Sequence, residues 1–253
     1  MQVNVELVAR DAGKAVVRGD VVVVVDVLRC TSSIITALAN GARSLRPVRT
    51  VKEARRIHAQ TPRYVLAGER GGRKPKGFAL GNSPREFTRD AVEGRDIIIT
   101  TTSGTAALTR VMDARWVLIG ALVNAQVVAD AAARIGAKEG RGVSLALAGK
   151  RGSFSLEDFL GAGAIMAALP TKSVAYSDAA YASVLAFQAA KASLTTIIQA
   201  GSHGQTLQRL GLGEDVVFCT QLNTHRIVPQ FADHHIVPLR HSPQGSAARD
   251  ESL

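Results

Sequence analysis

Acids, guanidiniums, hydroxyls and glycines recur where the apolar runs of this chain end, and those residue types together suit a compact anion. Asp26 follows five consecutive valines, Val21–Val25, with Arg29, Thr31 and Ser32 close behind. A carboxylate at the end of a buried strand is costly unless it is paired, hydrogen-bonded or holding a metal. Strand-end acids are recurrent metal ligands and nucleophiles, which favours a functional role over an ion pair with Arg29 or a turn-forming Asp. Glu69 and Arg70 sit in Gly68-Glu69-Arg70-Gly71-Gly72, whose glycines let backbone approach a ligand closely. A surface turn with solvated charges fits that segment equally well. Thr101, Thr102, Ser103, Gly104 and Thr105 put four hydroxyls around one glycine, more than an N-cap needs. Such a junction lets N–H groups and a helix N-terminus face an anion.

Other residues are weaker candidates. Ser155-Leu156-Glu157-Asp158 is a capping-box pattern, so Asp158 is expected to cap its own helix while Glu157 stays open. His203, between Ser202 and Gly204, has the chemistry of a proton donor, but a lone histidine in a turn is more often structural. His234 and His235 have no spaced partners and are assigned no metal.

The elements that must position these groups follow from periodicity. Short β-branched runs at Val21–Val27, Arg63–Ala67, Asp96–Thr100, Trp116–Gly120 and Val143–Leu147 read as strands. Helical stretches at Thr31–Asn40, Thr105–Met112, Ala125–Ile135 and Leu156–Leu169 alternate with them. This rhythm predicts an α/β fold with a largely parallel sheet. Ligands in open α/β sheets bind beyond the carboxyl ends of the strands, which places all the candidates at one sheet edge. Further on, Asp178–Leu194 reads as one long helix, Gln205–Leu210 as a short one, and Arg226–Leu239 as a hairpin turning near Asp233-His234. Residues 1–240 are expected to form one domain and 241–253 a frayed polar tail.

Composition bounds the alternatives. The 253 residues can bury a substantial core, and two distant cysteines, Cys30 and Cys219, fit buried hydrophobes in a reducing cytoplasm better than a zinc or redox site. The N-terminus lacks a continuous apolar stretch, so no signal peptide is expected, and no run is long enough to span a membrane. The net charge of +10 favours anionic partners. Its local concentration at Arg70, Arg73, Lys74 and Lys76 lacks interleaved aromatics, so nucleic acid is not the expected partner. Neither a P-loop, a dinucleotide fingerprint, a zincin helix nor a nucleophile elbow occurs. The second acid of a D-x-D phosphatase pair would fall at Leu28, and Cys219 and Arg226 are one residue too far apart for a C-x5-R loop.

The strings VDVLRCTSSIITALANGA, LAGERGGRKPKGFALGNSP, TTTSGTAAL, FSLEDFLGAGA and SDAA closely resemble the 2-phosphosulfolactate phosphatase family; SHG and CTQLN…VP match more loosely. The resemblance runs in the same order from Val22 to Pro229. It implies a three-layer α/β/α fold with a parallel or mixed sheet and two packed lobes. It also implies a Mg²⁺-dependent phosphatase that takes (2R)-2-phospho-3-sulfolactate to 3-sulfolactate on the route to coenzyme M. Four positions depart from the family pattern: Ser103 for an Asn, Asn223 for an Asp, Arg226 for an acid and Cys30 for an Ala. On this reading Asp26, Arg29, Glu69 and Arg70 are the catalytic candidates. Asp26 and Glu69, with Glu157, are the metal candidates. Thr31, Ser32, Asn82, Ser83, Thr101, Thr102, Ser103, Gly104 and Thr105 are the candidates for holding the phosphate of a small anionic substrate. Another phosphorylated hydroxy acid as substrate, a non-catalytic anion or nucleic-acid binder, the nucleophile and the number of subunits remain open.

Overall fold

A computed structural model describes residues 1–170 and 174–239; the tail expected over 241–253 lies outside the described residues. The strands are β1 (Gln2–Glu6), β2 (Val21–Val25), β3 (Ser44–Pro47), β4 (Val65–Gly68), β5 (Asp96–Thr100), β6 (Val117–Gly120), β7 (Val143–Leu147), β8 (Ala175–Tyr176), β9 (Pro229–Ala232) and β10 (His235–Pro238). The helices are α1 (Gly13–Arg18), α2 (Cys30–Ala39), α3 (Val51–Gln60), α4 (Arg89–Val92), α5 (Gly104–Val111), α6 (Ala125–Glu139), α7 (Leu156–Ala167), α8 (Asp178–Ala190), α9 (Leu194–Ala200), α10 (Ser202–Arg209) and α11 (Gly213–Cys219).

The valines of β2 show how the layers arise. All five are fully buried, yet they divide by the period of a strand: Val21, Val23 and Val25 join one apolar cluster, Val22 and Val24 the other. The first cluster holds residues of α6, α7 and α8, the second residues of α1, α2 and α5. A strand with helices on both faces needs apolar side chains on both, which is why this run does not alternate with polar residues. Each buried valine contributes about 1.5–3 kcal/mol of transfer free energy. The result is a three-layer α/β/α arrangement.

All ten strands form one sheet in the order β4-β5-β3-β10-β9-β6-β2-β7-β1-β8. It contains two parallel sets, β4-β5-β3 and β6-β2-β7-β1-β8, joined by the β9–β10 hairpin. The hairpin is antiparallel to β3 on one side and to β6 on the other, so the two parallel sets run in opposite directions. This corrects the expectation of a single edge. Asp26 after β2 and Thr101 after β5 belong to oppositely directed sets. At ~20–25° per strand, the five steps from β5 to β2 accumulate a rotation on the order of 100°.

One difference and one agreement concern the last third. The helix expected over 178–194 is divided by a 3-10 turn at Lys191–Ser193, which turns Leu194 and Ile198 of α9 into the core. The hairpin turns where expected, because Asp233 (φ 49°) and His234 (φ 64°) both adopt the left-handed conformation that a tight two-residue turn requires. No helix among the described residues is long and apolar enough to cross a membrane.

Candidate active site

The chain leaves β2 at Asp26, and the first turn of α2 secures the exit. Thr31 Oγ1 accepts the Asp26 N–H at 3.0 Å and donates to the Asp26 carbonyl at 2.8 Å. Ser32 Oγ donates to the Val27 carbonyl at 2.8 Å. Both hydroxyls therefore hold the backbone of the loop that aims Asp26. The Asp26 carboxylate is buried; Oδ1 accepts the Cys30 N–H at 3.2 Å, and Oδ2 makes no hydrogen bond among the described residues. Gly104, the first residue of α5, is packed against it, since a Cβ there would lie 2.6 Å from Oδ2. Burial pushes the Asp26 carboxyl up to about 6, with His203 and the Cys30 N–H opposing and Glu157 and Glu69 adding to the rise.

The ends of β4 and β5 are fastened to each other. At Gly68 (φ 142°) a Cβ would stand 2.0 Å from the Thr100 carbonyl oxygen, so only glycine allows this approach. The buried Glu69 carboxylate then accepts the N–H of Gly72 at 2.7 Å and of Thr102 at 2.6 Å, bridging the two loops. Arg70 turns back on the scaffold, donating to the carbonyls of Glu69 and Arg49 and to Thr100 Oγ1. Thr101 and Thr105 bond reciprocally, each hydroxyl accepting the other's N–H at 3.3 and 3.1 Å. The exposed Thr102 gives its N–H to Glu69, while Ser103 Oγ accepts the Arg151 N–H at 3.4 Å.

The opposite wall is built on a buried ion pair. Arg29 donates to Asp215 Oδ2 at 2.6 Å and to the Gly72 carbonyl at 3.0 Å. Ser83 Oγ donates to the other oxygen of Asp215 at 2.6 Å. Beside it, Asn82 accepts Ser33 Oγ on its carbonyl, but its side-chain Oδ1 is buried without a partner. Asp215 gave no sign of this in the sequence: it sits in the first turn of α11, where an acid normally does no more than answer the helix dipole.

The third wall comes from α7 and α10. Glu157 Oε1 holds His203 Nδ1 at 2.7 Å. Burial would raise the Glu157 carboxyl, but the His203 hydrogen bond and charge bring it below its ordinary value. Asp158 does not cap α7, contrary to the capping-box pattern. Its oxygens accept the N–H of Val27 at 2.8 Å and of Gly149 at 3.0 Å, tying the exits of β2 and β7 together. Burial, with Asp26 and Glu157 nearby, lifts the Asp158 carboxyl well above the usual range.

These walls enclose a cavity of about 60 Å³ lined by Asp26, Leu28, Arg29, Glu69, Gly72, Asn82, Thr101, Ser103 and His203. Six of the sequence candidates thus meet in one space. Thr31, Ser32, Ser83, Gly104 and Glu157 stand behind them as supports, and Arg70, Thr102 and Thr105 hold the loops. His203 was the underrated residue, because nothing in its own turn shows that Glu157, 46 positions away, orients its ring. An acid, a buried guanidinium and a carboxylate-held imidazole in one small polar cavity can bind a tetrahedral anion and transfer a proton beside it.

Comparison with known proteins agrees in kind. The family model for 2-phosphosulpholactate phosphatase matches residues 8–234. A relative from Symbiobacterium thermophilum is 39% identical over 225 residues, covering 87% of this chain and 95% of its own. One from Carboxydothermus hydrogenoformans is 41% identical over 211 residues, covering 83% and 85%. One from Clostridium beijerinckii is 33% identical over 240 residues, covering 93% and 99%. All three are named probable 2-phosphosulfolactate phosphatases. The chain belongs to the 2-phosphosulfolactate phosphatase family.

Its reaction class is accordingly that of a phosphoric monoester hydrolase. The four positions that the resemblance marks as departures fall mostly outside the cavity. Asn223 caps α6 through Oδ1, which accepts the Gln126 N–H at 2.8 Å, and Arg226 lies in a separate cleft beside Arg134. Cys30 is buried, and burial holds its thiol well above the ordinary range, which makes it packing rather than a nucleophile. Only Ser103 lines the cavity.

The donor set suits Mg²⁺, the cation that the resemblance to this family implies. Asp26 lines the cavity and its Oδ2 is a hard oxygen without a hydrogen bond among the described residues, while Glu69 and Glu157 add to the rise that burial causes in the Asp26 carboxyl. No three His, Cys, Asp or Glu side chains form a metal-binding group among the described residues.

Proposed function

We propose that this chain is a Mg²⁺-dependent 2-phosphosulfolactate phosphatase, releasing inorganic phosphate and 3-sulfolactate on the route to coenzyme M. The observation that carries the reading is the joint placement of Asp26, Arg29 and the Glu157-held His203 around one phosphate-sized cavity. The family resemblance and the names of the relatives support the substrate.

In this mechanism Arg29 binds the non-bridging phosphate oxygens and answers the charge that gathers on them in the transition state. Asp215 and the Gly72 carbonyl keep the guanidinium in place, so it does not reorganise as the reaction proceeds. Thr101 and Ser103 present the phosphate with a polar wall. Asp26 acts through its Oδ2, either attacking phosphorus to give a phospho-aspartate that water then hydrolyses, or helping to hold the cation while water attacks phosphorus directly. Mg²⁺ bound by Asp26 in the field of Glu69 and Glu157 would neutralise phosphate charge. A secondary alkoxide leaves poorly without a proton. His203, its Nδ1 engaged by Glu157, supplies that proton from Nε2.

The test is phosphate release from racemic 2-phosphosulfolactate and from a panel of phosphorylated hydroxy acids, with Mg²⁺ and then with EDTA. EDTA-sensitive release led by phosphosulfolactate is expected. Folded protein that releases phosphate from none of them with metal present would overturn the proposal, and undiminished turnover by Asp26→Ala would remove Asp26 from the mechanism.

A further inference from the structure

The cavity around Asp26 has room for little beyond the phosphoryl group, at about 60 Å³. It shares Arg29, Gly72 and Asn82 with a second cleft of about 380 Å³, so the two spaces adjoin across those residues. The charges of this cleft do not cancel. Lys74 Nζ donates to the Ala79 carbonyl at 3.2 Å and lies 3.8 Å from Glu86 Oε2, which also accepts the Gly81 N–H. Arg73 pairs with Arg70 through its backbone alone, and its guanidinium makes no hydrogen bond or ion pair among the described residues. The cleft therefore carries an unbalanced, exposed guanidinium.

A second observation points to a ligand at the junction. Asn82 is only 5% exposed, yet its Oδ1 has no hydrogen-bond partner. A buried amide oxygen without a partner is costly, and an amide turned over at the same place would offer N–H groups instead. Turned over in this way, the side chain, which lines both spaces, would present unpartnered N–H groups to an acceptor-rich anion lying across them.

We propose that the cleft receives the sulfonate arm of the substrate and that Arg73 selects for it. The inference rests on the substrate reading above. With phosphorus in the inner cavity, the carboxylate is attached directly to the ester carbon, whereas the sulfonate stands one methylene further out. The longer arm is the one that reaches the cleft. A guanidinium is weakly hydrated and presents a planar fork of donors, a better match for a weakly hydrated sulfonate than an ammonium already held by a carbonyl. Leu210 and Leu212 provide an apolar side for the methylene.

The experiment compares wild type, Arg73→Ala and Arg73→Lys on 2-phosphosulfolactate and on 2-phospholactate, which has the same ester and carboxylate but a methyl group in place of the sulfonated carbon. Arg73→Ala is expected to lower kcat/KM on phosphosulfolactate by roughly ten-fold or more through KM, leave phospholactate within about two-fold, and be partly rescued by lysine. Equal losses on both substrates, or no loss on either, would overturn the proposal. Calorimetric binding of 3-sulfolactate and of inorganic phosphate gives a readout independent of turnover. Weakened 3-sulfolactate binding in Arg73→Ala with unchanged phosphate binding supports the cleft even in a protein that releases no phosphate, an outcome that would sink the phosphatase reading alone. Unchanged 3-sulfolactate binding sinks the cleft assignment whatever the activity.

Discussion

Arg29 and Asp215 are 186 positions apart in the chain and 2.6 Å apart in the fold, both nearly inaccessible to water. Their pair joins the loop after β2 to α11, and Ser83 occupies the second oxygen of the same carboxylate. Arg29 faces the cavity as a fixed cation because Asp215 meets it from behind.

Removing that support should be costly in two ways. Asp215→Ala leaves a buried guanidinium uncompensated and is expected to destabilise the protein by about 3–5 kcal/mol, read from urea unfolding. Asp215→Asn keeps the shape and the Ser83 contact, so it should fold better yet lose turnover as Arg29 gains freedom. An Asp215→Asn protein with wild-type kcat/KM would show that Arg29 needs no such anchor.

Asp26 should set function against stability. Its carboxyl is raised from 3.8 to about 6 in the folded protein, chiefly by burial. Between those values the folded state binds more protons than the unfolded one, so stability falls as the pH rises through that window. Asp26→Asn removes the penalty. In EDTA the variant should be more stable than wild type above pH 6, by on the order of 3 kcal/mol, with the difference vanishing below about pH 4. Phosphate release should be lost at every pH. Thermal melts of the two proteins at pH 8 and pH 4 test this, and equal melting temperatures at pH 8 would mean that the buried carboxylate is otherwise compensated.

The proton from His203 matters in proportion to how poor the leaving group is. His203→Gln and Glu157→Gln should each lower kcat on an alkyl phosphate roughly a hundred-fold or more. On p-nitrophenyl phosphate, whose leaving group needs no proton, the loss should stay within about ten-fold. Equal losses on both esters would assign the pair to binding rather than to proton transfer.

What the sequence showed of this site followed from position relative to strands. Asp26, Glu69 and Thr101 were legible because each closes a short β-branched run, and ligands gather beyond such ends. Asp215 and Asp158 were not, because each stands in the first turn of a helix, where an acid looks like a cap or a dipole partner. Both carboxylates instead reach across the fold, to Arg29 and Ser83 and to the N–H groups of Val27 and Gly149. The strand β3 was hidden by its arginine and proline, and α11 by the Gly-Leu-Gly that runs into its first residue. The reversal between the two parallel sets was equally hidden. A βα rhythm fixes the direction of neighbouring strands, but nothing in residues 229–238 announces that their hairpin is inserted in the middle of the sheet.

Gly104 offers a test of how tightly the helix behind Asp26 must pack. A Cβ there would fall 2.4 Å from Cys30 Cβ and 2.6 Å from both Cys30 Sγ and Asp26 Oδ2, closer than atoms tolerate. Gly104→Ala is therefore expected to cost about 1–3 kcal/mol and to displace the carboxylate. Cys30→Ala removes the sulfur, leaving the Cys30 Cβ and the carboxylate contact unchanged. The double variant should recover part of the stability but little of the activity, because Asp26 Oδ2 remains crowded. A double-mutant cycle on urea midpoints, run beside kcat/KM, separates the two contacts. Full recovery of both would show that the sulfur alone sets the spacing, and strictly additive losses would show that α5 moves away from α2 as a unit.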